Sequence, residues 1–246
     1  MKLITKFKAL VFLGLLITIS CSEDDNNIPN PTVGSGIKIM PLGDSRIEGA
    51  RPEFESYRYE LWKNLVTNNW EFDFTGPLKD DASYPQFMNM SFDNDHAGVG
   101  GFTTRDIINN IQEALTSGTP DVVLIGIGGN DLTGGSTVSN AITNINQIID
   151  ILQGSNNNIT IFLEQIAPGR SDFMTPEFTA LFNEFNSSIT GVGDQQTTTT
   201  SKVIVVDMAT GWKDTYMADE VHYNVEGAKV VADRYYNAIT QFIEKQ

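Results

Sequence analysis

Cysteine and histidine are scarce in this chain, and the scarcity narrows its chemistry. Cys21 is the single cysteine in 246 residues, so no intramolecular disulfide can form. His96 and His222 are the only histidines, and neither sits in a zinc-ligand or phosphate-loop motif. Cations are also few. Sixteen Lys and Arg stand against 31 Asp and Glu, a formal net charge of −15, and losing Lys2, Lys6 and Lys8 would take it to −18. So acidic a chain should bind nucleic acid and other polyanions poorly, while neutral glycans and small neutral esters remain compatible with it. The apolar run at 9–19 is too short to span a bilayer.

What is present at the N-terminus reads as processing rather than fold. A basic start, the apolar run and a small residue, Ser20, have the pattern of a cleaved export signal over residues 1–20. Cys21 follows directly and resembles the lipid-attachment cysteine of bacterial lipoproteins, which implies a membrane anchor through an N-terminal lipid. An incidental cysteine after an ordinary secretory signal is the alternative. Ser22-Glu23-Asp24-Asp25 resembles an acidic tag that directs lipoproteins to the outer cell surface, and reads equally as a solvated linker. The expectation is export to the bacterial outer membrane or cell surface as a lipoprotein, with residues 21–36 as a polar tether.

Residues 37–246 are enough for one α/β domain. Apolar runs at 37–42, 121–127, 159–163 and 203–206, with Phe72 and Phe74, predict five strands. Helical spacing of apolar residues predicts helices between them and a final one after Asn224. Residues 76–98 lack a period and read as a long loop. Strands that alternate with helices, and that are apolar throughout, suit a parallel sheet covered on both faces. The expected fold is a three-layer α/β/α sandwich, flavodoxin-like, with a five-stranded parallel sheet in the order 2-1-3-4-5.

The chemistry-bearing segments all follow predicted strands. Gly43-Asp44-Ser45 follows the first, Gly128-Gly129-Asn130-Asp131 the third, and Asp219-Glu220-Val221-His222 lies beyond the fifth. Ligands in open parallel sheets sit beyond the carboxyl ends of strands, where strand order reverses. A serine hydroxyl needs a base to take its proton, histidine is the usual base, and a carboxylate must orient it. Ser45, His222 and Asp219 can fill those roles. Backbone N–H groups of Ser45 and Gly101, with the Asn130 amide, can bind an oxyanion. Blander roles exist for each: Ser45 or Asn130 as helix caps and Gly100-Gly101 as a tight turn, while Glu220 reads as solvent-facing with a stand-in for Asp219 as the alternative. Asp44 fits a turn brace, and His96 fits a structural or a substrate-contacting role. Arg58 suits an ion pair with an acidic neighbour, with substrate binding as the alternative. Tyr84, Phe87 and Phe92 suit either a sugar platform or a small local core. No Gly-x-Ser-x-Gly elbow surrounds Ser45, which argues against the α/β-hydrolase fold.

Gly43-Asp44-Ser45, residues 98–104, Gly128-Gly129-Asn130-Asp131 and Asp219-Glu220-Val221-His222 together resemble the blocks of the SGNH/GDSL hydrolase superfamily, in its order, over residues 37–246. The resemblance implies Ser45 as nucleophile, Asp219 and His222 as its partners, and Ser45, Gly101 and Asn130 as the oxyanion hole, with no metal or organic cofactor. Residues 39–45, Tyr57-Arg58 and Asp93-Asn94-Asp95-His96 are similar to acetylxylan esterases of carbohydrate esterase family 3. Arg46-Ile47, Ala97 and Tyr223 depart from that family's pattern. The implied activity is a serine esterase that removes acetyl groups from a polysaccharide. The alternatives are a lipase- or thioesterase-type acyl hydrolase, and a non-catalytic glycan-binding surface lipoprotein.

Overall fold

The computed structural model describes residues 33–245. The expected signal peptide, Cys21 and most of the tether lie outside them. The elements that position the site are β1 (Val33–Gly43), α1 (Ser45–Glu48), α2 (Arg58–Thr67), β2 (Phe72–Phe74), β3 (Leu78–Lys79), β4 (Asp95–Gly98), α3 (Thr104–Ala114), β5 (Val122–Gly126), α4 (Gly129–Thr133), α5 (Val138–Ser155), β6 (Thr160–Gln165), α6 (Pro176–Gln196), β7 (Lys202–Asp207) and α7 (Val225–Phe242).

The sheet has seven strands, two more than expected. Its parallel core is β2-β1-β5-β6-β7, the order the sequence predicts. The extra pair arises inside 76–98. β4 continues along the edge of β1 beyond β2, pairing Leu42 with Ala97 and Gly43 with Gly98, and β3 runs antiparallel to β4. Asp95-His96-Ala97-Gly98 has no apolar alternation and poor strand propensity, so local pattern could not reveal it. Its pairing is imposed by the free edge of β1. The first strand also begins at Val33, four residues before the predicted start.

β5 is buried at all five positions, as a central parallel strand between helical layers must be. Its pleat splits the core. Val123 and Ile125 join Met40 and Leu42 under α3, α5 and α6. Val122 and Leu124 join Ile39 and Phe162 under α2 and α7. Burying each such side chain contributes roughly 1.5–3 kcal/mol. The helix starts follow the sequence signals. Thr103 and Asp106 form a capping box on α3, and Asn224 accepts from Glu226 and Gly227 N–H at 3.0 Å each on α7. Caps of this kind stabilise by about 1 kcal/mol.

Candidate active site

The chain turns sharply where β1 ends, and Asp44 caps α1 by accepting the Arg46 N–H at 3.0 Å. That places Ser45 as the first helical residue, beside the crevice between β1 and β5. Ser45 Oγ lies 2.9 Å from His222 Nε2, and His222 Nδ1 lies 2.7 Å from Asp219 Oδ2. Asp219 does two jobs. Its Oδ1 accepts the Val221 and His222 N–H groups at 2.8 and 2.7 Å, which folds the loop, while Oδ2 fixes the ring. Burial pushes the Asp219 carboxyl up, but the hydrogen bonds from the His222 ring and the two backbone groups outweigh it and hold the group below its ordinary value. An ionised Asp219 keeps the imidazole proton on Nδ1, leaving Nε2 to accept from the Ser45 hydroxyl. Glu220 is exposed and makes no such contact; only its carbonyl is engaged, by Arg170 N–H at 2.8 Å.

Across the crevice, Asn130 lies in the first turn of the short α4, and its Nδ2 donates to Phe102 O at 2.9 Å. One of its two amide hydrogens is thereby fixed and the other is left to bind a ligand oxygen. Gly101 has φ +80°, and a Cβ there would meet nothing within 4 Å. Glycine is required at that position for conformation and not for space. Asp131, next to Asn130 and 3% exposed, accepts from both the N–H and the hydroxyl of Thr104, at 2.8 and 2.6 Å. This tie between α4 and α3 sets the Gly101 loop against Asn130. The structure therefore brings Ser45, His222 and Asp219 into one relay, and ties the Asn130 amide to the loop that carries Gly101.

Several neighbours had no sequence signal. Arg46 reaches from α1 to Val221 O through Nε and to Ala167 O through Nη1, both at 2.7 Å, and its guanidinium lies 5.0 Å from the Tyr223 ring centroid. It thus pins the loop that carries His222 to the helix that carries Ser45. Both unfamiliar residues noted in the sequence, Arg46 and Tyr223, are parts of this one contact. Phe54 stacks on the His222 ring at 3.8 Å and 11°, held by the Ala50–Phe54 backbone pair. Arg58 pairs with Asp80 at 2.5 Å while fully buried. Tyr84, Phe87 and Phe92 pack with Tyr59 and Trp62 as a local core. His96 is buried, and its Nδ1 accepts the Gly98 N–H at 3.1 Å.

Glu164 lies beneath the nucleophile, 3% exposed, with Oε1 accepting from Tyr235 OH at 2.7 Å. A Cβ on Gly126 would come within 2.8 Å of Glu164 Oε2, so only glycine fits above it. Burial pushes the carboxyl up to about 7 from 4.5. The folded state then keeps a proton that the unfolded chain has lost, so this group makes stability fall as pH rises from about 4.5 to about 7. Glu164→Gln should therefore gain on wild type by on the order of 3 kcal/mol between pH 5 and 8. Chemical denaturation of both proteins across that range measures it, and parallel stability curves would remove the buried-acid account.

A family model described as the GDSL-like Lipase/Acylhydrolase family matches residues 42–230. A comparison with curated protein sequences gives no match. Among solved structures, the chain is similar to a carbohydrate esterase family 3 protein from Talaromyces cellulolyticus, with 27% identity and a TM-score of 0.73 over 85% of this chain and 98% of that one. It is similar to a family 3 carbohydrate esterase from Clostridium thermocellum, with 28% identity and a TM-score of 0.67 over 83% and 96%. An acetyl esterase mutant with acetate ion gives 26% and 0.73 over 85% and 98%.

Proposed function

The chain belongs to the GDSL-like lipase/acylhydrolase family and is a carboxylic ester hydrolase, and we propose that its substrate is an acetylated polysaccharide. The observation that carries the chemistry is the Ser45–His222–Asp219 relay, with contacts of 2.9 and 2.7 Å. Ser45 Oγ attacks the acetyl carbonyl as His222 Nε2 takes its proton. The tetrahedral oxyanion is bound by the Ser45 and Gly101 N–H groups and the free amide hydrogen of Asn130. His222 then returns the proton to the departing sugar oxygen, and the bond to that oxygen breaks. Water attacks the acetyl-enzyme through the same base and acetate leaves.

One feature supports acetate over a longer acyl group. The cavity at Ser45 has a volume of about 50 Å³, bounded by Asn130, Thr133, Ile166, Phe182 and Val221. That is room for a few water-sized groups. The carbohydrate and acetyl esterases among the similar structures support the glycan. Acetate release from a panel of acetylated polysaccharides, beside a chain-length series of nitrophenyl esters, tests the reading. Acetate should be released from at least one polymer, and nitrophenyl turnover should fall steeply beyond short chains. Preference for long chains would favour a lipase instead, and glycan binding without any turnover would favour a binding protein.

The same proposal places the enzyme outside the cell on a lipid attached to Cys21. Metabolic labelling with a fatty acid checks this: the wild type should carry label, and label retained by Cys21→Ala would count against the anchor.

A further inference from the structure

Whereas the acyl cavity is lined by Ser45 and Arg46 at the start of α1, a second, polar cavity is lined from Glu48 at its end onward. It has a volume of about 390 Å³ and is walled by Glu48, Arg51, Asp81, Ala82, Tyr84 and His96 among others. That size falls within the ~300–1,000 Å³ of typical small-molecule sites. Two links join it to the reacting groups. Glu48, one turn after Ser45, accepts the Gly100 N–H through Oε2 at 2.6 Å, and a Cβ on Gly100 would lie 3.8 Å from Ser45 Cβ. Ala50 forms part of the cavity wall and is paired through its backbone with Phe54, which stacks on His222. The cavity is thus linked to both reacting groups, through Glu48 to the loop beside Ser45 and through Ala50 to the ring that stacks on His222.

Its lining suits an uncharged polyhydroxyl ligand. Arg51 and Lys79 face Glu48, Asp80 and Asp81, so the wall offers donors and acceptors without a field of one sign. Part of this set is already committed. Asp80 serves Arg58, Tyr84 OH and Ala82 N–H, and Lys79 serves Asp95. Other groups are free. Arg51 uses only Nε, on Glu55, and its guanidinium lies 4.5 Å from the Tyr84 ring centroid. Among the described residues Asp81 makes no hydrogen bond or ion pair. His96 is 1% exposed, its Nδ1 already accepts from Gly98, and Nε2 has no protein partner. Burial holds His96 neutral, so Nε2 carries a proton to donate.

We propose that this cavity is a subsite for a neutral sugar unit next to the acetylated one, a step that rests on the carbohydrate reading above. The test compares kcat/KM for a short acetylated xylo-oligosaccharide with that for nitrophenyl acetate. Ala82→Trp narrows the cavity, and Asp81→Ala removes a free acceptor from an exposed position. The ratio of the two kcat/KM values should fall about tenfold in Ala82→Trp and several-fold in Asp81→Ala, through KM on the oligosaccharide. An unchanged ratio in both Asp81→Ala and a folded Ala82→Trp, or equal loss on both substrates, overturns the subsite. A wild type that releases no acetate from any oligosaccharide overturns the carbohydrate reading and the subsite with it. That result is visible before any variant is made, so the two failures are distinct.

Discussion

Ser45→Ala should lower kcat on nitrophenyl acetate by roughly 10⁵–10⁶-fold while leaving the fold intact. The size follows from the relay: the base and its carboxylate have nothing to act on once the hydroxyl is gone, and removing His222 as well should cost little more. The stability side follows from the surroundings. Ser45 is only half-buried and its hydroxyl has one protein partner, His222, whose ring keeps its bond to Asp219. The α1 cap is made by Asp44 and does not involve the lost oxygen. The change in stability should stay within about 1 kcal/mol. Steady-state kinetics, a thermal melt and labelling by a phosphonate ester measure all of this. A fully active Ser45→Ala protein, labelled at another serine, would end the mechanism.

Asn130→Ala should lower kcat by on the order of 10²–10³-fold, with KM little changed, because an oxyanion donor acts mainly in the transition state. Asn130→Asp should be at least as damaging, since it sets a negative charge beside a developing one. Stability should also drop, because the amide holds Phe102 O at 2.9 Å. Loss of that one bond costs about 1 kcal/mol, or a melting shift of roughly 2–4 °C for a domain of this size. The melt alone thus cannot separate a catalytic amide from a brace. The discriminating quantity is kcat: an Asn130→Ala protein that melts lower yet turns over normally would take Asn130 out of the oxyanion hole.

What could be read from the sequence was whatever sequence-local physics sets. The continuous apolar run of β5, the Thr103 and Asp106 capping pair and the Asn224 cap each act within a few residues, and each stands where the pattern put it. The three-residue spacing of Asp219 and His222 likewise fits one side chain folding one loop. Contacts between distant segments left no such trace. Arg46 meets carbonyls 121 and 175 residues away, and nothing in its neighbourhood marks it as a strut. Phe54 and Glu164 read as an ordinary apolar residue and an ordinary acid until the fold sets one on an imidazole and the other under a glycine. β3 and β4 depend on an open stretch of the β1 edge, and their own residues carry no strand pattern.

Ser45 and His222 stand 177 residues apart, and the nucleophile comes first. During synthesis the hydroxyl emerges early, at the end of the first strand, while its base arrives only with the last loop before α7. Arg46 awaits the same late segment, since one of its two carbonyl partners is Val221. Until that segment docks, the serine is an unactivated alcohol. Turnover is therefore acquired in the final stage of assembly, and a chain still being made carries no hydrolase with it.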